Sequence, residues 1–117
     1  MVKKIKIGLI QSKSLGTTES NIDLAIKNIK KAAEKKAKII CLPELFLTNY
    51  FCQTESHSNF KLAEKIPGKT SRIFCKLAKE LRVVLNITMF EKRTSGFYHN
   101  TSVIIGENGN ILSKYRK

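Results

Sequence analysis

No stretch of this chain stays apolar for long. The amino terminus, Met1-Val-Lys-Lys-Ile-Lys-Ile, carries charge, but Lys6 interrupts the apolar core that a secretory leader needs. No segment approaches membrane-spanning length either, so neither export nor insertion is expected, and the expected location is the cytoplasm. Cysteine is scarce. Cys41, Cys52 and Cys75 are odd in number, irregularly spaced and without a CxxC pair, which argues against a secreted disulfide framework and fits a reducing compartment. Internal repeats and collagen-like, disordered or low-complexity composition are absent as well. Acidic residues are few, 9 against 22 basic ones, giving a formal net charge of +13.

What is present reads as one compact domain. The chain has 117 residues, 42% of them apolar and 26% charged, an ordinary globular composition with no linker to suggest a second unit. The positive surplus raises nucleic acid or anionic lipid as a partner. Of the 22 basic residues, however, 18 are lysines scattered over helix faces, whereas recognition surfaces favour clustered arginine and interleaved aromatics. A solvated lysine-rich surface is the expectation, with a non-enzymatic basic binding module kept as the alternative from another class.

The periodicities predict β-α-β-α-β-β-β. Residues 4–11, with Ile5, Ile7, Leu9 and Ile10, predict a strand buried largely on both faces. Ser20 followed by Asp23 resembles a capping box, and Ile22, Ala25, Ile26, Ile29 and Ala33 predict a helix over about 21–36. Residues 39–42 are a short apolar run ended by Pro43, as befits a central strand parallel to the first after a right-handed crossover. A longer aromatic and polar connection follows over 48–68. Ser71 then opens a second helix with Ile73, Phe74, Leu77, Ala78 and Leu81 on one face, and 83–90 reads as another buried strand. Strands over 98–105 and 111–115 flank Glu107-Asn108-Gly109-Asn110, with Asn-Gly as the hairpin signal.

In Pro43-Glu44-Leu45 the glutamate is expected at the carboxyl edge of a parallel sheet. Partial desolvation there raises a carboxylate's pKa and suits it to general base work, although on this segment alone a plain surface glutamate is the favoured reading. The cationic end, Ser113-Lys-Tyr-Arg-Lys117, holds a lysine able to stabilise an oxyanion if buried beside a carboxylate. Other motifs fail. Gly68-Lys69-Thr70 imitates the end of a P-loop, but Ala63 stands where the first glycine is required and no strand precedes it. Cys52 and His57 lack the further ligands a zinc site needs, so no metal is expected, and His57 and His99 are expected to make hydrogen bonds in a loop and at a strand end.

A series of local matches in order does carry specificity. Gln11, Leu42-Pro-Glu-Leu-Phe46, Tyr50-Phe-Cys-Gln-Thr-Glu55, Ile66-Pro-Gly68, Leu77-Ala-Lys-Glu-Leu81, Phe90-Glu-Lys-Arg93, Tyr98-His-Asn-Thr101 and Tyr115-Arg-Lys117 resemble successive segments of the nitrilase superfamily of carbon-nitrogen hydrolases, over essentially the whole chain. The second of the longer segments favours the branch that acts on N-carbamoylputrescine. A β-ureidopropionase or ω-amidase branch is the alternative.

The resemblance implies an α/β fold, the N-terminal part of a four-layer α-β-β-α sandwich whose subunits commonly associate as homo-oligomers. It implies a small carbamoyl-amine or amide substrate and no cofactor, with Glu44 as general base, Lys117 as oxyanion stabiliser and Glu91 as a supporting glutamate near the lysine. The superfamily's nucleophilic cysteine follows its lysine motif, and these 117 residues end on that lysine. Cys41, Cys52 and Cys75 do not match the nucleophile motif, so the chain is expected to be a hydrolase domain truncated before its nucleophile, inactive alone. Without its partner sheet it is expected to expose an apolar face and to be poorly soluble or dependent on a partner. For the scattered lysines, a fluorescence titration against labelled duplex DNA at physiological salt should show no saturable binding. Tight binding that weakens steeply with salt would instead reveal a recognition surface.

Overall fold

The computed structural model describes residues 3–51 and 57–117. Among these residues five strands form one mixed sheet in the order β1-β2-β3-β4-β5, comprising β1 (Ile7–Leu9), β2 (Ile39–Cys41), β3 (Val84–Thr94), β4 (Phe97–Ile105) and β5 (Ile111–Arg116). The first three are parallel, with Ile7 beside Ile39 and Ile39 beside Val84, and the last two join by antiparallel hairpins. Gly109, at a φ of +81°, supplies the left-handed turn expected of Asn-Gly, and Gly106 and Asn110 close that hairpin with a 2.8 Å hydrogen bond.

Two helices, α1 (Thr18–Glu34) and α2 (Lys69–Leu81), connect the parallel strands. Helix α1 begins three residues before the predicted start. Thr17, not Ser20, is the N-cap, its hydroxyl accepting from the Ser20 N–H at 3.1 Å, and Asp23 takes no part. The helix ends where Lys36 turns to a φ of +71°. Helix α2 starts after Gly68, and Ser71 reaches back one turn to accept from the Gly68 N–H at 2.8 Å, so Ser71 lies inside the helix and caps it from there. A short 3₁₀ helix, His57–Leu62, occupies part of the connection expected to be irregular. Among the described residues, no helix is long and apolar enough to cross a membrane.

The side chains of a strand alternate between faces, and burial follows that alternation. Leu85, Ile87 and Met89 on β3 and Val103 and Ile105 on β4 are all buried, facing the side on which Phe74, Leu77 and Ala78 of α2 and Ala25 and Ile29 of α1 complete the core. Gly8 shows how closely the helix layer sits on β1. A Cβ there would meet Ala32 at 3.1 Å and Ala37 at 3.3 Å.

The opposite face of the sheet has no helix on it among the described residues. Ile7 and Leu9 are 56% and 80% exposed, which corrects the expectation of a first strand buried on both faces. The strand is short, lies at the sheet's edge and is covered only where Gly8 meets α1. Ile39, Cys41, Val84 and Ile104 share this open face by register and are partly buried. Among the described residues the buried core lies on the helix side. Phe74, fully buried with its ring edge-on to Phe46 at 5.3 Å, joins α2 to the loop after β2, so Phe74→Ala should destabilise the chain by about 3–5 kcal/mol in a urea titration.

Candidate active site

The turn after β2 is held from β3. Leu42 donates its N–H to the Asn86 carbonyl at 3.0 Å, continuing the ladder one step past the strand. Proline then ends it, and Leu45 takes a left-handed φ of +50°, a conformation that costs a non-glycine residue of order 1 kcal/mol or more. The Thr88 hydroxyl offsets that cost by accepting from the Leu45 N–H at 2.7 Å and donating to the Pro43 carbonyl at 3.3 Å. Leu45, Phe46 and Leu47 are buried, and between them and the strand Glu44 is turned outward.

Glu44 Oε1 accepts from Asn100 Nδ2 at 2.7 Å and from Lys117 Nζ at 3.2 Å. Asn100 and Lys117 are themselves tied together, the Lys117 N–H donating to the Asn100 carbonyl at 2.9 Å. The structure thus brings together Glu44 and Lys117, which lie 73 residues apart in sequence. The expected elevation of the Glu44 pKa is not found. The Asn100 amide first, and then the Lys117 ammonium, hold the carboxyl below its ordinary range, and burial opposes them only weakly because the side chain is 43% exposed. A cavity of about 260 Å³ opens beside Glu44, lined in part by Ser12, Ser14, Asn49 and Tyr50. A larger one of about 340 Å³, between β1 and α1, holds none of the predicted site residues.

Glu91, by contrast, is 2% exposed. Arg116 grips it in two places, Nε to Oε1 at 2.8 Å and Nη2 to Oε2 at 3.1 Å, while the Thr101 hydroxyl donates to Oε1 at 2.8 Å and Lys114 Nζ stands 3.8 Å from Oε2. These partners, the Arg116 hydrogen bond foremost, overcome the opposing effect of burial and bring the carboxyl down from 4.5 to about 2. Beyond the end of β2, the ladder beside Glu91 is continued by Glu64, whose N–H donates to the Phe90 carbonyl and whose carbonyl accepts from the Lys92 N–H. Thr70 donates its hydroxyl to the Glu64 carboxylate at 2.7 Å. Gly68-Lys69-Thr70 therefore serves the start of α2 and leaves no phosphate cradle.

The two carboxylates stand on opposite faces of the sheet. Glu91 shares the helix side with Met89, and through register with Thr101 and Arg116, whereas Asn100 is the neighbour of Thr101 and Lys117 the neighbour of Arg116. Sequence reasoning singled out Glu44, Lys117 and Glu91 but missed Asn100, Thr101, Arg116 and Thr88. The hairpin register predicted from Asn-Gly was the available signal, since it sets 100 and 101 across from the chain's end.

Cys41 and Cys75 are half-buried free thiols, and burial in α2 raises the Cys75 pKa, which keeps it protonated. Cys52, with most of the Tyr50-Phe-Cys-Gln-Thr-Glu55 motif, lies outside the described residues. His57 packs its ring on Phe60 at 5.8 Å. His99 lies within β4 rather than at its end, and its buried Nε2 has no hydrogen-bond partner among the described residues, contrary to expectation. No group of three or more His, Cys, Asp or Glu side chains among the described residues is arranged to hold a metal ion.

The fold is that of the nitrilase superfamily. The chain superposes on a carbon-nitrogen hydrolase from Helicobacter pylori G27 with a TM-score of 0.91 at 34% identity, covering 97% of this chain and 39% of that one. Nit3 of Saccharomyces cerevisiae, from branch 10 of the nitrilase superfamily, gives a TM-score of 0.75 at 27% identity over 97% of this chain and 44% of that one. The sequence profile of the family described as carbon-nitrogen hydrolase matches residues 6–117, and the chain belongs to that family. An N-carbamoylputrescine amidase of Oryza sativa is 36% identical over 97% of this chain and 38% of its own length. An omega-amidase of Xenopus laevis is 34% identical over 97% of this chain and 40% of its own. The chain thus spans about two fifths of the length of these curated relatives.

The depressed Glu91 pKa makes stability depend on pH with a definite sign. Its folded value lies below the ordinary 4.5, so its contribution is fully present above 4.5 and is lost as pH falls toward about 2. An acid titration followed by circular dichroism should show a loss of up to about 3 kcal/mol in that window. In Glu91→Gln this component of the loss should be missing.

Proposed function

We propose that the complete polypeptide containing residues 1–117 hydrolyses a linear carbon-nitrogen bond, with N-carbamoylputrescine as its substrate and putrescine, ammonia and carbon dioxide as products, in polyamine biosynthesis. The observation that carries this reading is the 3.2 Å contact between the Glu44 carboxylate and the Lys117 ammonium, on a chain that belongs to the carbon-nitrogen hydrolases.

A cysteine beyond residue 117 is the nucleophile of this reading. Glu44 takes its proton, and the thiolate attacks the ureido carbon. Lys117 stabilises the oxyanion of the tetrahedral adduct, whose collapse releases ammonia and leaves a carbamoyl thioester. Glu44 then activates water, which breaks the carbon-sulfur bond and restores the thiol. The resulting carbamate loses carbon dioxide to give the amine. Glu91 has a supporting role from the other face of the sheet. Covering the open face with the rest of the polypeptide removes water from Glu44 and raises its pKa, making it a stronger base than in the isolated chain.

The same reading assigns the site to the cytoplasm, requires no metal or organic cofactor, and has the complete subunits associate as homo-oligomers. A second substrate class is favoured by the 34% identity to the omega-amidase, close to the 36% found with the N-carbamoylputrescine amidase.

Ammonia release by the complete polypeptide should be fastest with N-carbamoylputrescine, measured beside N-carbamoyl-β-alanine and a dicarboxylic acid monoamide. A preference for the monoamide assigns the ω-amidase branch, and release from none of the three refutes the hydrolase reading. Glu44→Gln should lower kcat by about 10²-fold or more, and residues 1–117 alone should release no ammonia at enzymatic rates.

A further inference from the structure

Lys117 is poorly placed to fix itself. Its ammonium sits on a flexible four-carbon stem with the side chain 70% exposed, and an exposed ion pair of this kind is a weak constraint on geometry. Its main chain is a different matter. The Lys117 N–H is bonded to the Asn100 carbonyl, and the residue immediately before it, Arg116, is locked by two hydrogen bonds to a carboxylate that is 2% exposed. The planar guanidinium fork accepts one orientation toward a carboxylate, so the Glu91 pair fixes direction as well as distance.

The arrangement is doubled across the two strands. Thr101 and Arg116 meet Glu91 on the helix side, and their neighbours Asn100 and Lys117 meet Glu44 on the open side. Because successive residues of a strand point to opposite faces, a shift of β5 along β4 that loosened Arg116 would displace Lys117 with it.

We propose that Arg116 is a positioning residue for Lys117: clamped by Glu91 in the helix-side layer, it fixes the end of β5 so that the Lys117 ammonium lies against Glu44 on the open face. Arg116 does not touch the reacting atoms. Glu91 acts through Arg116, which gives the supporting role a route. The kinetic consequence rests on the hydrolase reading, whereas the geometric one does not.

The test uses the complete polypeptide with Arg116→Lys, Arg116→Gln and Glu91→Gln. Arg116→Lys keeps the charge beside Glu91 and removes the fork, so it separates alignment from charge. For each variant, the carboxyl ¹³C titration of Glu44, the thermal midpoint, and kcat and KM per folded protein are measured. The expected result for Arg116→Lys is a Glu44 midpoint moved upward from its value in the unsubstituted complete polypeptide, kcat lower by about 10- to 100-fold, and KM within about twofold. The other two variants should behave alike.

A clamp that merely stabilises the fold would lower the thermal midpoint and leave both the Glu44 midpoint and kcat per folded molecule unchanged, and that outcome overturns the inference. If Arg116→Gln does not fold, Arg116→Lys decides. If the unsubstituted protein releases no ammonia from any amide, the hydrolase reading fails, and the Glu44 midpoint still decides the geometric inference.

Discussion

A carboxylate taken out of water must be matched by donors, and Glu91 is the place where this chain meets that demand most strictly. A buried carboxylate left unpaired costs several kcal/mol, so the strands around it adopt the register that delivers Arg116 and Thr101 to its oxygens. Much follows from that one requirement. β5 is short and exposed along most of its length, and its far end is tied down by Arg116. With β5 in place, the chain's last residue reaches the opposite face beside Asn100, and Glu44 gains both of its partners. The site on the open side is in this sense a by-product of charge balance on the helix side.

The other half of the site depends on backbone geometry. Proline stops β2, Leu45 accepts a left-handed conformation, and one hydroxyl on β3 bonds to both sides of the turn. Burial of Leu45, Phe46 and Leu47 then anchors the loop to the core, with Phe46 against Phe74. Glu44 is outward because its neighbours are inward. The carboxylate and its ammonium partner thus come from two separately stabilised pieces of the same sheet. Their meeting costs little by itself, since neither side chain is deeply desolvated in this chain.

The fold was legible in the sequence wherever a period or a turn signal had one physical reading. The apolar run over 83–90, the strand pattern over 98–105, the helical spacing of Ile22, Ala25, Ile26 and Ile29, the stop at Pro43 and the Asn-Gly hairpin each led to an element observed, although β3 runs on past 90 to Thr94. The errors lie where two local solutions compete. Thr17 and Ser20 are both fit to cap α1, and only the tertiary position of Asn21, buried and bonded to the Leu47 carbonyl, shows which turn comes first. The apolar residues near the amino terminus have strand periodicity, but periodicity does not say whether a second layer covers them. At the site, Glu44, Lys117 and Glu91 were reached through resemblance. Asn100 and Arg116 were not singled out, because their importance arises from pairings across strands that one sequence does not display. The acidity of Glu44 was misjudged for a related reason: partial burial was anticipated, and the hydrogen bond from Asn100 was not.

The order in which the chain is synthesised gives the long separation of Glu44 and Lys117 a temporal meaning. A ribosome releases the turn bearing Glu44 well before the end of β5, with 73 residues between the two ends of the eventual contact. During that interval the parallel strands and α2 are available to condense, while the last hairpin, whose closure depends on β4, is incomplete. The carboxylate therefore spends the early life of the polypeptide without its lysine, and the pair forms among the last contacts made by these residues. A nascent chain stalled before β5 is folded, if at all, without the site.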